Sequence, residues 1–169
     1  MLVGRTVALR PFDRRHADQT RVWANDSELA RLLDRAHPVS DIEHERWLAA
    51  LHDQPSRLYL AIETLTDQQY IGNAWLWDID CRHRKAELRI VIGNRDYLSK
   101  GMGSEAIELL CSFAFTRLNL HKIYAFVLAN NQAALRSFAK VKFELEGILK
   151  QDRWSDDRYV DVHLLARLR

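Results

Sequence analysis

Long apolar runs are missing from this chain. No window approaches the ~20 residues that span a bilayer, and the start, Met1-Leu2-Val3-Gly4-Arg5, lacks the apolar stretch of a secretory leader. The expectation is a soluble, cytoplasmic protein with no membrane partner. Cysteine is scarce: Cys81 and Cys111 are too few for a disulfide framework, and Cys111 falls in an apolar helical pattern where a thiol packs as a small hydrophobe. A reducing compartment suits both. Neither sign of charge dominates. The 25 basic and 23 acidic residues are interspersed and leave a net charge of +2, which gives no footprint for nucleic acid. Prolines stand singly at 11, 38 and 55, and no linker, repeat or low-complexity tract divides the sequence. The 7 histidines carry no metal-ligand spacing, His37 and His44 being too far apart for an i, i+4 pair, so no metal is expected.

What is present fits one domain over residues 1–169, with 47% hydrophobic and 28% charged residues, enough to bury a core. Residues 6–10 alternate and predict a first strand closed by Pro11. Asp13 is placed to cap a helix running to about Asn25, with Ala17, Thr20 and Trp23 inward. Ser40-Asp41-Ile42-Glu43 is a capping box before a helix that carries Trp47, Leu48 and Leu51. Residues 57–63, 70–79 and 86–93 read as an antiparallel meander. Ala106, Ile107, Leu110, Phe113, Ala114 and Leu118 recur at helical spacing, and residues 122–129 return as a strand. A helix between two strands in so short a unit makes 86–93 and 122–129 parallel neighbours. A helix over 131–140 and a hairpin of 143–149 with 160–168, turning around Asp156-Asp157, complete an α+β fold with a mixed, mainly antiparallel sheet.

The most informative stretch joins the strand holding Glu87 to the helix after it, through Leu98-Ser99-Lys100-Gly101-Met102-Gly103-Ser104. Glycines two apart before a helix start let an anion approach the free N–H groups of the first turn, which points to a phosphorylated ligand; an ordinary strand-to-helix turn is the plainer alternative. A dinucleotide fold is disfavoured, since no strand ends in an acidic residue about 20 residues on. Lys100 precedes the second glycine and no Gly-Lys-Ser/Thr follows, which excludes a P-loop.

In this order the elements resemble the GNAT superfamily of acyl-CoA N-acyltransferases, from Val7 to the C-terminus. The residues that carry the likeness include Trp23-Ala24-Asn25-Asp26, Ile71-Gly72-Asn73, Ala86-Glu87, the loop from Lys100 to Ala106, Leu120-His121-Lys122-Ile123-Tyr124, Asn131-Gln132-Ala133-Ala134, Lys140, Phe143, Glu146-Gly147 and Asp161. The nearest branch is that of ribosomal-protein N-terminal and nucleotide-aminosugar acetyltransferases. The resemblance implies a GNAT-like sheet of about seven strands flanked by about four helices, its parallel pair splayed beyond Ile90 at a cofactor cleft. It implies acetyl-CoA as cofactor: pyrophosphate on main-chain N–H groups of 99–104, pantetheine added as a strand beside Ile90, Val91 and Ile92, and the Asn131 side chain against the same arm. Leu98, Ser99, Lys100, Gly101, Met102, Gly103 and Ser104 are thus the cofactor-binding loop. Trp23, Asn25 and Asp26, with Trp75, Trp77 and Asp78 from a neighbouring strand, fall at the acceptor end. For Trp23 and Trp47 the alternative is helix packing. A homodimer is a further implication.

Acetyl transfer to an amine needs a neutral nitrogen, a polarised carbonyl and a thiol that can leave. An alkyl ammonium has a pKa near ~10.4, so a base must take its proton; Glu87, a carboxylate on an apolar strand, is the candidate catalytic residue, as base or as amine anchor. Its alternative is a pair with Arg89 on the same face. A strand N–H around 90–92 is placed to hold the carbonyl oxygen. Many relatives carry a tyrosine where this chain has Phe138, 7 residues after Asn131, so thiolate protonation falls to water or to Tyr124, Ser137 or Tyr159. Lys142 replaces a glycine of the family pattern, and Leu98-Ser99 replace the usual loop residues. The leading expectation is acetylation of a small-molecule primary amine: an amino sugar, a nucleotide-linked aminosugar or an amine antibiotic. N-terminal acetylation of a ribosomal-type protein and acetyl-CoA binding without turnover are the alternatives.

Overall fold

Strands form where apolar residues alternate or run together. The computed structural model describes residues 1–33, 35–51, 53–155 and 157–169, and among them eight strands make one sheet in the order β1-β2-β3-β4-β5-β6-β8-β7. The strands are β1 (Leu2–Val3), β2 (Val7–Pro11), β3 (Leu58–Thr64), β4 (Tyr70–Asp80), β5 (Lys85–Ile92), β6 (Lys122–Leu128), β7 (Glu144–Ser155) and β8 (Arg158–Leu168). The helices are α1 (Ala17–Ala24), α2 (Ser27–Leu32), α3 (Asp41–Ala49), α4 (Met102–Thr116) and α5 (Gln132–Lys140). Every neighbouring pair is antiparallel except β5 and β6. The mixed α+β sheet is therefore as expected, with β1 and α2 additional to the elements read from periodicity. Of the hairpin turn expected at Asp156-Asp157, Asp156 lies outside the described residues; β7 and β8 extend further toward it than the pattern indicated.

Side chains of the strands alternate between two clusters. Leu60 and Ile62 of β3 join Val7, Leu9, Ala74, Leu76 and Leu88 against the buried stripe of α4, Ala106, Ile107, Leu110, Cys111 and Ala114. Tyr59 and Ala61 of the same strand turn to the opposite face and pack with Phe12, Trp47, Leu48 and Leu51. Burying that many aliphatic side chains, each stabilising by about 1.5–3 kcal/mol, is what holds the sheet between its two helical layers.

Local caps fix where the covering helices start. Ser40 and Glu43 make the expected capping box on α3, with the Ser40 N–H donating to Glu43 Oε2 at 2.8 Å. Asp13 does not cap a single helix to Asn25. It makes a capping box with His16 on a short 3₁₀ turn, Arg14–His16, ahead of α1. The reason is His16, buried with Nδ1 accepting the Asp13 N–H at 3.0 Å and Nε2 at 3.1 Å from the buried Glu63 carboxylate.

The parallel pairing of β5 and β6 is short: Lys85 with Lys122, Ala86 with Ile123, Glu87 with Tyr124. It ends three residues before Ile90, where it was expected to open. Each strand continues with its other partner, β5 with β4 as far as Ile92 and β6 with β8 as far as Leu128, and twist carries the two pairs apart. Among the described residues no helix is long and apolar enough to cross a membrane.

Candidate active site

Between the separated strands lies a cavity of about 860 Å³, bordered by Leu88, Ile90, Val91 and Ile92 of β5 and by Phe126, Val127 and Leu128 of β6. Two strand edges without a shared partner face each other there, so an extended ligand can hydrogen-bond to them as an added strand.

One end of the cavity is the glycine loop, with Leu98, Ser99, Gly101, Gly103 and Ser104 in its wall. Gly101 is the N-cap of α4, in the left-handed region at φ 82° and with no side-chain cap. The Glu105 N–H is bonded back to Gly101 at 3.0 Å, whereas the donors ahead of it have no carbonyl within the helix to reach. Space is kept beside them. A Cβ at Gly101 would meet nothing within 4 Å, and one at Gly103 would touch Ile92 Cγ1 at 3.6 Å. An uncapped helix of 15 residues with open ground before it fits a diphosphate. Arg136 and Lys140 of α5 add positive charge to the same wall, and Asn131 joins it while its Oδ1 caps α5 by accepting the Ala134 N–H at 3.1 Å. Lys100 and Met102 do not line the cavity; the Lys100 ammonium stands 5.3 Å from the Tyr97 ring centre.

The other end is set by strand register. Tyr59 pairs with Trp75 and Trp75 with Arg89, while Trp77 pairs with Glu87 and Glu87 with Tyr124, which puts two rows on the face away from α4. Glu87 is buried, its carboxylate gripped by the Arg89 fork at 2.6 and 3.0 Å. Trp75 stacks on Tyr59 with centroids 5.3 Å apart and planes 8° off parallel. Two guanidiniums lie over the Trp77 ring, Arg57 at 3.4 Å and Arg89 at 4.9 Å from its centre. Trp47, Leu29, Leu32, Leu33 and Arg35 close the wall. Burial pushes the Tyr59 hydroxyl pKa up, against the Trp47 hydrogen bond and the charges of Arg89, Arg57 and Arg35. Burial also raises Tyr124, helped by Glu87 and Asp78.

Of the residues expected at the acceptor end, Trp75 and Trp77 are in the wall; Trp23, Asn25, Asp26 and Asp78 are not. Trp23 is buried against Gly93, where a Cβ would fall 2.1 Å from its ring, and packs on Tyr70 at 4.8 Å. Asn25 ties the main chain of Val39 through both its amide atoms. Asp26 caps α2 and pairs with Arg95 at 3.1 Å, which holds its carboxyl below the usual range, chiefly through the Leu29 N–H. Asp78 is exposed at a bulge in β4. The register also brings in Tyr59 and Arg89, and the segment after α2 brings Arg35, none of which sequence reasoning had placed in the site. The available signal was the two-residue alternation that sets Glu87 and Arg89 on one face.

Phe138 is in the wall but packs edge-on against Phe143 at 4.9 Å and has no proton to give. Ser137 donates to Ala133 O at 3.0 Å, and Tyr159 is 62% exposed beside Trp154. Lys142 follows α5 at φ 64°, the left-handed conformation that explains why glycine suits this position.

Residues 6–144 match the family model of the acetyltransferase (GNAT) domain. The chain is 28% identical over 155 residues to spermidine N(1)-acetyltransferase of Escherichia coli strain K12, covering 91% of this chain and 81% of that protein. The solved structure of Vibrio cholerae spermidine N-acetyltransferase in complex with CoA and spermine superposes with a TM-score of 0.87 at 26% identity, over 96% of this chain and 95% of that one. A dodecameric structure of the Vibrio protein matches with a TM-score of 0.81 at 26% identity, over 96% and 93%.

Proposed function

The chain belongs to the acetyltransferase (GNAT) domain family as an acetyl-CoA-dependent N-acetyltransferase, and from that premise we propose that it acetylates the primary amine of a small molecule in the cavity between β5 and β6. The observation that carries this reading is the continuity of one cavity from the uncapped start of α4, past two unpaired strand edges, to a buried carboxylate among aromatic rings. A wall built from α2, α3, β3, β4 and β5 suits a small acceptor better than a polypeptide end. Amino sugars, their nucleotide-linked forms and amine antibiotics are the acceptor types proposed from the sequence, and the spermidine-acetylating relatives support a free amine as the common element.

Acetyl-CoA supplies an acyl group on a thiol that can depart. The N–H groups at the start of α4, with Arg136 and Lys140 nearby, hold its phosphates. The free edge of β5 at Ile90, Val91 and Ile92 aligns the pantetheine arm and aims an N–H at the carbonyl oxygen. Asn131 steadies the arm. Glu87 anchors the incoming amine and accepts its proton, for its two oxygens keep lone pairs beyond those that Arg89 uses. The nitrogen bonds to the carbonyl carbon, the carbon–sulfur bond breaks, and the thiolate takes a proton from water because Phe138 cannot donate one.

The test is thiol release from acetyl-CoA across aminosugars, antibiotics, polyamines and N-terminal peptides, with Glu87→Gln alongside. A general base is worth roughly 10²–10⁴-fold, so the variant should lose at least ~100-fold in kcat/KM while retaining coenzyme A. An unchanged rate would remove Glu87 from the chemistry, and release with peptides alone would replace the small-molecule acceptor by a protein N-terminus.

Self-association is part of the same proposal. The edge strand β7 exposes Leu145, Ile148, Leu149 and Trp154, and the Vibrio relative forms a dodecameric structure. Light scattering that gave a monomer at micromolar concentration would reject it.

A further inference from the structure

The acceptor end is rich in positive charge and short of spare negative charge. Among the described residues the carboxylates in the cavity wall are Glu28 and Glu87, and both are paired, Glu28 with Arg95 at 3.0 Å and Glu87 with the Arg89 fork. Arg35, Arg89 and Arg95 all line the cavity, and the Arg57 guanidinium lies over the Trp77 ring at 3.4 Å. The fields of Arg89, Arg57 and Arg35 meet at the Tyr59 hydroxyl, a second sign that these guanidiniums converge. Asp78, whose charge reaches Arg89 and Tyr124, is exposed and outside the wall.

Aromatic rings can bind a cation through their faces, and here guanidiniums already lie over Trp77 while Tyr59 covers one face of Trp75. Trp77 has guanidiniums at 3.4 and 4.9 Å, and Trp75 lies flat on Tyr59 at 5.3 Å. Trp47 packs edge to face with Phe12 and Tyr59 at 5.5 and 5.7 Å and tilted on His44 at 5.1 Å. One ammonium can rest on Glu87; a second or third finds guanidinium. Arg89 gives Nε and Nη2 to Glu87, which leaves its Nη1 end, together with Arg35, to bind an anion.

Resting on the acetyl-transfer reading, we propose that the acceptor is a primary amine that also bears an anionic group, a carboxylate or a phosphate, and that polyamines are poor acceptors for this chain. The reacting amine sits at Glu87 and the anion at Arg35 and Arg89, so one molecule is oriented by charges of opposite sign at its two ends.

Thiol release at saturating acetyl-CoA would be measured for glucosamine 6-phosphate against glucosamine, for L-tyrosine against tyramine, and for spermidine, in the natural chain and in Arg35→Gln. The member of at least one pair that carries the carboxylate or phosphate should exceed both the partner lacking it and spermidine by tenfold or more in kcat/KM, and the pair that shows it tells phosphate from carboxylate. Arg35→Gln should raise KM for that member about tenfold with kcat held within twofold, Arg35→Lys should recover part of the loss, and KM for the partner without the anionic group should change by less than twofold. Spermidine as best acceptor, equal rates within both pairs, or an Arg35→Gln variant without effect would each overturn the proposal. Coenzyme A titrated calorimetrically separates the two levels. Failure to bind it overturns acetyl transfer as well, whereas binding without a preference for anionic amines overturns the acceptor class alone.

Discussion

Replacing Gly103 with alanine should make the protein more stable and its cofactor binding worse. Gly103 is the second residue of α4, and an added Cβ would make one ordinary contact, 3.6 Å from Ile92 Cγ1. Alanine is favoured over glycine in a helix by about 0.5–1 kcal/mol. At about 2–4 °C per kcal/mol for a chain of this size, Tm should rise by roughly 1–4 °C. On the proposed reading, the same methyl stands on the surface where the diphosphate approaches the N–H groups. Losing one hydrogen bond to a charged group costs about 1.5–3 kcal/mol, which is roughly ten- to hundredfold in Kd for coenzyme A. Calorimetric titration with coenzyme A, beside a thermal melt, reads both quantities. Pantetheine, which lacks the diphosphate, should bind variant and natural chain alike. Unchanged affinity for coenzyme A in a stabilised variant would refute the anion cradle.

Gly93→Ala should act oppositely, because its Cβ would fall 2.1 Å from the Trp23 ring. Overpacking of that kind costs about 1–3 kcal/mol, and a thermal melt should fall by about 2–4 °C for each of them. Lys142→Gly should relieve the left-handed backbone at φ 64° and raise Tm by about 2–4 °C if about 1 kcal/mol is recovered; a lower Tm would deny the strain. Burial pushes the Cys111 thiol up to about 12. Below the ordinary thiol value of 9.0 both states hold the proton; above it the unfolded chain loses the proton first, so stability falls with rising pH toward 12 by up to about 1.4 kcal/mol per unit. Tyr70, raised by burial, adds to the same slope at its alkaline end. Denaturant titrations between pH 8 and 11 should show a shallower fall in Cys111→Ala, and an equal fall would exclude the thiol.

Much of the frame was legible because local chemistry dictates it. Ser40 and Glu43 announce the start of α3 in four residues, and the pair of glycines before a helical apolar stripe marks the start of α4. Harder to read were features that depend on distant partners. Trp23 is buried because Gly93, far along the sequence, leaves room for its ring. The resemblance puts Asp26 at the acceptor end, whereas its cap on α2 and its pair with Arg95 depend on a helix that the periodicity does not show. The opening point of β5 and β6 is set by twist acting on each strand with its outer partner, and no residue marks it. The two guanidiniums over Trp77 come from Arg57, just ahead of β3, and from Arg89 of β5, and only the register of the sheet brings them together. Alternation alone puts Glu87 and Arg89 on one face, and that pairing is realised; its alliance with the aromatic row needed the sheet.

Acetyl passage from coenzyme A to an amine through the cleft between β5 and β6 is most directly tested by following thiol release and amine acetylation together in one reaction. One thiol per acetylated amine, saturation in both substrates and competition by coenzyme A against acetyl-CoA are the expected results. Protein that retains no coenzyme A at millimolar concentration, or that releases thiol without regard to the amine, would contradict it.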